Sequence, residues 1–214
     1  MGDQTSSGLC LRSVTIRLHE HVLLQLDDAV ANGEILTVMG ESGSGKSTLL
    51  DFVAGFLAPP FKATGRLILN GIDITAYPPQ ARRVGLMFQT PLLFPHMSVA
   101  GNLLFALKAR RGTAQERQNT VDNALDEIGL AGFGPRDPAT LSGGQQTRVA
   151  LMRLLLAEPR ALLLDEPFSS LDRPRRADIR KMVFETTRQR NLPVLLVTHD
   201  PEDAGAAGGR VVTL

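Results

Sequence analysis

The segment Gly40-Glu41-Ser42-Gly43-Ser44-Gly45-Lys46-Ser47 has the spacing G-x-x-x-x-G-K-S. Its chemistry is the binding of phosphate. Glycines let successive backbone N–H groups turn inward around phosphate oxygens. A helix beginning at the lysine adds its positive end to the same site. Lys46 is a compact point charge able to reach β- and γ-phosphates. The Ser47 hydroxyl suits Mg²⁺, and Thr48 beside it can hold an α-phosphate oxygen. A plain Gly-Ser turn would leave unexplained the apolar strand before the loop and the helix-length stretch after it.

A second candidate is Leu162-Leu163-Leu164-Asp165-Glu166. A carboxylate at the end of a buried strand lies where parallel sheets bind ligands. Asp165 can hold Mg²⁺ through its water shell. Glu166 can accept a proton from an attacking water. Strand ends also carry carboxylates merely to cap helices, but a phosphate loop upstream favours the chemical reading.

Both motifs need a sheet to hold them. Ile35–Met39, Ala161–Leu164 and Val194–Val197 are short apolar runs, the pattern of strands buried on both faces. Leu9–Leu18 and Val22–Leu26 form a strand pair around the turn His19-Glu20-His21. Leu67–Leu69, Val84–Phe88 and Val211–Leu214 add strands, while Gly55 to Gly65, with two prolines, is expected to be a loop. Lys46–Ala54 is expected to be helical. From about Thr90 to Glu158 the pattern is helical, with Thr113-x-x-Glu116 as a capping box and Val121, Leu125 and Ile128 at helical spacing. Asp172 with Pro174 starts another helix. Alternating strands and helices point to an α/β sheet with a helical insertion.

Composition narrows the function classes. A length of 214 residues suits one domain with its own core. The net charge of +1 provides no field for nucleic acid. No 18-residue apolar run is present. The start Met1–Ser6 is polar, unlike a secretory signal; Gly2 with Ser6 fits a myristoylation pattern no better than chance. The lone Cys10 excludes an internal disulfide and fits a reducing compartment. Arg110-Arg111 and Arg173, Arg175 and Arg176 are expected to be solvated charges.

Leu141-Ser142-Gly143-Gly144-Gln145 completes an ordered set. With the two motifs above, it makes the chain resemble the ATP-binding cassette (ABC) ATPases, the motor subunits of membrane transporters. Gln89 follows the strand Val84–Phe88, and Leu141 comes 52 residues later. Asp165 and Glu166 follow, then Ser170-Leu171-Asp172, and then His199 in Val197-Thr198-His199-Asp200. The resemblance runs from about Leu9 to Leu214.

The resemblance implies an α/β P-loop NTPase cassette with a mixed sheet core, an N-terminal antiparallel β subdomain and an inserted α-helical subdomain. It makes 1–214 one ABC ATPase domain. Residues 1–89 and 159–214 would form the RecA-like core with the β subdomain, and 90–158 the helical subdomain with the signature. ATP and Mg²⁺ are the implied ligands. Nucleotide would be held by Gly40, Glu41, Ser42, Gly43, Ser44, Gly45, Lys46, Ser47 and Thr48, with Ser142, Gly143, Gly144 and Gln145 closing over the γ-phosphate from a second copy. The metal would be held by Ser47, Gln89 and Asp165. Glu166 would be the catalytic base, Gln89 the sensor of metal and water, and His199 the switch that bonds the γ-phosphate.

The implied partners are a second copy of the chain in a head-to-tail homodimer sharing two ATP sites, and a polytopic membrane permease. The stretch Pro91-Leu92-Leu93-Phe94-Pro95-His96-Met97-Ser98-Val99 resembles the docking groove of bacterial importer motors. A substrate-binding protein would complete the complex, placed peripherally on the cytoplasmic side of the inner membrane, with no role for nucleic acid. The alternatives are the motor of an exporter or extrusion system, a soluble ABC ATPase without transport, and a small-molecule kinase; the signature argues against the last. Two departures stand out. No regulatory domain is expected after His199. No aromatic residue precedes Phe52, so Leu18, with His19 and His21 nearby, stands where most relatives stack adenine. Modest affinity and tolerance of GTP are therefore expected.

Overall fold

The computed structural model describes residues 7–107, 112–171 and 173–214. Gly2, Ser6, Arg110, Arg111 and Asp172 lie outside the described residues, as do the side chains of Arg173, Pro174 and Arg175. Among the described residues no helix is long and apolar enough to cross a membrane.

The chain begins with β1 (Gly8–Leu18) and β2 (His21–Ala31), joined at the expected turn, where His19 adopts a positive φ of 53°. Next come β3 (Ile35–Met39), α1 (Lys46–Ala54), β4 (Phe61–Leu69) and β5 (Ile72–Asp73). After α2 (Pro79–Arg82) and β6 (Val84–Met87), the chain turns helical through α3 (Val99–Ala106), α4 (Ala114–Glu127) and α5 (Gly143–Leu156). It returns to β7 (Ala161–Asp165), α6 (Arg173–Gln189), β8 (Val194–Thr198), α7 (Pro201–Ala207) and β9 (Arg210–Thr213).

Both kinds of sheet occur, each kept to itself. β2-β1-β4-β5 is an antiparallel sheet. β6-β7-β8-β3-β9 is parallel throughout, which requires the helical crossovers between its strands. Successive side chains of a strand point to opposite faces, and the core follows that rule. Ala161, Leu163, Leu195, Val197, Leu36 and Val38 pack with α1 and the antiparallel sheet. Leu162, Leu164, Val194, Leu196 and Ile35 pack with the helices on the other side. Each fully buried Leu or Val contributes roughly 1.5–3 kcal/mol. With both faces committed, a one-residue slip of β7 or β8 would exchange its two sets of core side chains.

Phe61–Gly65, expected to be a loop, is instead the first half of β4. It pairs with β1 from Phe61 opposite Leu18 to Thr64 opposite Thr15, so long-range pairing overrides the flanking prolines and glycine. β2 likewise continues past Leu26 through Asp27 and Asp28, held by Leu9, Cys10 and Leu11 of β1. The expected helix Lys46–Ala54 forms with those bounds. The capping box at Thr113 and Glu116 is present.

Arg82 ties the far end of α1 to the rest of the molecule. Its buried guanidinium donates to the carbonyls of Phe52 (2.6 Å) and Val53 (2.9 Å) at the end of α1, and to Thr75 (2.7 Å) and Tyr77 (2.8 Å). Arg82→Met leaves these carbonyls without their donor. Since a buried polar group left unpaired costs about 1–3 kcal/mol, the variant should lose about 3 kcal/mol or more, read as a lower urea midpoint. An unchanged midpoint would show that the bonds contribute nothing net.

Candidate functional site

Four neighbouring parallel strands end along one edge of the sheet. β3 runs into the phosphate loop, β8 into His199, β7 into Asp165 and Glu166, and β6 toward Gln89. Met39 is opposite Thr198, Asp165 opposite Val197, and Met87 opposite Leu164, so the strand ends are level. Adjacent strands are about 4.8 Å apart. Residues separated by more than a hundred positions therefore meet across one or two strand spacings.

The loop turns through left-handed backbone at Gly43 (φ 86°) and Gly45 (φ 88°), the second of which is the N-cap of α1. A side chain at Gly40 would place its Cβ 2.8 Å from Ser44 Oγ, so the cradle closes tightly on itself. Ser44 Oγ is buried with no hydrogen-bond partner among the described residues, a group suited to an incoming anion. Lys46 is 5% exposed, and its Nζ donates to the carbonyls of Gly40 (2.8 Å) and Glu41 (2.7 Å). An ammonium has three donors, so one remains for a phosphate oxygen.

Ser47 Oγ donates to Asp165 Oδ1 across 3.1 Å. Burial, reinforced by repulsion from Glu166 and Asp51, raises the Asp165 pKa; the Ser47 bond and Lys46 oppose the rise. Asp51 is also raised by burial. Glu166 has a φ of 44°, unusual for a non-glycine residue, while its N–H still bonds the Val197 carbonyl at 2.9 Å. This twist carries its carboxylate out of the strand direction, and Oε1 lies 2.9 Å from Nδ1 of His199. Glu166 is largely covered, whereas His199 is 59% exposed. A cavity of about 280 Å³ beside the loop is lined by Ser42, Gly43, Gly45, Lys46, Ser47, Thr48 and Glu166, and by Leu18, Leu23 and Phe61.

The remaining candidates lie apart from this cavity's lining. Ser142 is the N-cap of α5, which starts at Gly143. Gln145 N donates to Ser142 Oγ (3.4 Å) and Ser142 N donates to Gln145 Oε1 (2.9 Å), so the two side chains cap the helix in this chain. A Cβ on Gly143 would face Leu171 at 3.6 Å, and one on Gly144 would face Ile179 at 3.3 Å. Gln89 is exposed, and its carbonyl accepts from Ser170 Oγ at 3.4 Å.

Sequence reasoning placed Arg176 among solvated charges, and the structure corrects this. Its Nη1 donates to Asp200 Oδ2 at 3.0 Å, and its Nη2 to the carbonyls of Leu171 (3.0 Å) and Ser169 (3.4 Å). One guanidinium thus joins the segment after Glu166 to the residue after His199. Behind it, Arg180 Nη2 meets Asp203 Oδ1 at 2.6 Å, and Thr198 Oγ1 donates to Asp203 Oδ2 at 3.0 Å. Burial raises the Asp203 pKa despite Arg180. Phe61, in the segment expected to be a loop, also lines the cleft; its spacing from the strand Leu67–Leu69 is its one local signal.

A phosphate loop between a parallel strand and a helix, facing an acidic pair on a nearby strand, defines a P-loop NTPase domain of α/β type. Residues 23–169 match the family profile described as ABC transporter, and the chain belongs to that family. It is 50% identical over 200 residues to an uncharacterized ABC transporter ATP-binding protein, YnjD, of Escherichia coli K12, covering 92% of this chain and 91% of that one. It is 42% identical to the spermidine/putrescine import ATP-binding protein PotA of Oleidesulfovibrio alaskensis, covering 90% of this chain and 51% of the relative. It is 40% identical to the sulfate/thiosulfate import ATP-binding protein CysA of Mycobacterium bovis, covering 97% and 58%. The chain thus spans about half the length of the latter two relatives.

Asp165 gives a stability prediction. Its folded pKa is raised, so its ionised form opposes folding at neutral pH, and that penalty fades as pH falls and the carboxyl protonates. Asp165→Asn keeps an acceptor for Ser47 and removes the charge. The ligand-free variant should melt higher than wild type at pH 8, by roughly 2–4 °C per kcal/mol relieved. The gain should shrink as the pH falls toward the ordinary Asp range. A lower melting temperature at pH 8 would contradict a burial penalty at this carboxylate.

Proposed function

We propose that this chain is the ATP-binding and ATP-hydrolysing subunit of an ABC importer. The observation that carries the reading is the division of the site. Lys46, Ser47 and Glu166 line one cleft, with Asp165 bonded to Ser47 and His199 to Glu166, whereas the capped turn Ser142–Gln145 is absent from the lining of that cleft. A second copy placed head to tail supplies the missing cover. Ser142, Gly143 and Gly144 of one protomer then meet the γ-phosphate held by Lys46 of the other, and the two ATP sites form at the seam. The start of α5 suits an anion, because helix N-termini present unpaired N–H groups. Residues 90–158 serve as the helical subdomain that carries this surface.

The side chains also fit Mg²⁺. Ser47 and Asp165 are adjacent hard oxygen donors, and Asp165 carries the raised pKa of a carboxylate short of compensation. No cluster of three or more His, Cys, Asp or Glu suited to a metal occurs among the described residues. Such an ion would be held by few protein ligands plus phosphates, with Gln89 as a third contributor. When bound, Mg²⁺ neutralises phosphate charge.

Glu166 takes the proton from the attacking water. His199 sets the condition for that step. His199 Nδ1 lies 2.9 Å from Glu166 Oε1; in a neutral ring whose Nδ1 carries the proton, Nε2 is an acceptor. Donating to a γ-phosphate oxygen therefore requires the imidazolium, or a ring that has let go of Glu166. Release of this pair frees base and switch together. Lys46 in turn trades loop carbonyls for phosphate oxygens.

The membrane partner docks by the Pro91–Val99 stretch. Asn102 holds this segment rigid: its amide accepts from Phe94 N (2.8 Å) and donates to the carbonyls of Phe94 (3.1 Å) and Ser98 (3.1 Å). Arg153 stacks on the Phe94 ring at 4.9 Å and donates to the Leu92 carbonyl at 2.6 Å. An apolar groove of about 260 Å³, including exposed Phe88 and Leu92, opens beside it. Its occupant is a short helix of a polytopic permease, which places the protein peripherally on the cytoplasmic side of the inner membrane, with a substrate-binding protein completing the system. The names of the PotA and CysA relatives weigh for import over extrusion.

Two tests follow. Glu166→Gln should bind ATP normally, lose about 10²–10⁴ in turnover, and form a dimer with Mg-ATP by light scattering. Lys46→Ala should bind no nucleotide. Wild-type turnover in the first variant, or a strictly monomeric ATP-bound form, would defeat the shared-site reading. At the docking surface, Leu92→Glu should keep basal ATPase near the wild-type rate, since Leu92 is outside the lining of the nucleotide cleft, yet fail to co-purify with the permease. Leu93 is a poorer choice, because it packs against the helical core.

A further inference from the structure

We propose that Phe61 is the platform on which the purine base stacks, an inference that rests on the nucleotide reading above. Leu18, Leu23 and Phe61 are all half-buried apolar side chains and line the cleft together with the phosphate loop. They come from three strands of one sheet. Phe61, the first residue of β4, pairs directly with Leu18, the last of β1, and residues opposite each other on a ladder share a face. Leu23 of β2 brings this wall against the loop, since a Cβ on Gly45 would lie 3.5 Å from its Cβ. His19 and His21, the other ring-bearing candidates, are exposed and are not part of the lining.

The wall and the loop therefore divide a nucleotide by chemistry. Loop N–H groups and Lys46 suit the phosphates, while an aromatic face flanked by two leucines suits a flat base. On this proposal β4 supplies the aromatic ring that β1 lacks, beside the expected aliphatic contact of Leu18. The Phe61 side chain has no hydrogen-bonding atom, so it favours large stacking surfaces without reading base edges. ATP and GTP should bind alike, and pyrimidine nucleotides should bind less tightly.

The test uses the purified full chain, with Mg-ATP, Mg-GTP and inorganic tripolyphosphate as probes in calorimetry. Phe61→Ala should weaken both purine nucleotides roughly five- to 150-fold, the range for a lost base–aromatic stack. Tripolyphosphate affinity should stay unchanged, and Phe61→Tyr should restore ATP binding. ATP affinity equal to wild type in Phe61→Ala would overturn the proposal while leaving the nucleotide reading intact. Failure of the wild type to bind either ATP or tripolyphosphate would instead overturn the reading beneath it. The chain contains no Trp, so Phe61→Trp adds a single reporter. Its emission should be quenched by ATP and not by tripolyphosphate, and an emission indifferent to saturating ATP would also refute the stack.

Discussion

Parallel pairing in β6-β7-β8-β3 is the constraint on which the site depends. All four strands run the same way, so their C-terminal ends share an edge, and whatever follows each strand is delivered there. Reversing any one of them would send its functional segment to the far end of the sheet, about 17 Å away for a five-residue strand. The two cores on either side hold the register. Burial that at first sight concerns stability alone thereby sets the level of Lys46, Asp165, Glu166 and His199 to within a hydrogen bond.

In this structure the groups of the cleft are engaged with one another. Lys46 bonds loop carbonyls, Ser47 bonds Asp165, and Glu166 meets His199. An unpaired buried charge is costly, and these internal partners lower that cost. In the proposed reaction, triphosphate and metal substitute for such partners instead of meeting bare groups. Burial still raises the Asp51 and Asp165 carboxyls, with mutual repulsion adding to the rise at Asp165. Sites that bind highly charged ligands commonly sacrifice some stability in this way.

α5 links two surfaces that the proposed function needs together. Its first turn carries the capped signature, and Arg153 near its end grips the docking segment through Phe94 and Leu92. Gly143 and Arg153 lie ten residues apart on this one helix, about 15 Å, so the helix fixes the distance between them. Arg176 does similar work near the cleft, joining the Ser169–Leu171 backbone to Asp200.

Much of this was legible in the chain because the informative interactions are local. The phosphate loop is one continuous octapeptide, and its glycines, lysine and serine keep their chemistry wherever the fold places them. The helix Lys46–Ala54 and the capping box at Thr113 also follow from neighbours within four residues. Phe61, Arg82 and Arg176 were not legible, for the opposite reason. Phe61 sits beyond two prolines and is a strand only because β1 pairs with it. The two arginines look like any surface charge until their carbonyl partners, as many as 30 positions away, come into place. The sequence by itself determined which chemistry is available, since functional groups and their short-range spacing are covalent. Only the tertiary structure decided which groups meet and what surrounds them, since burial and strand pairing are set by residues distant along the chain.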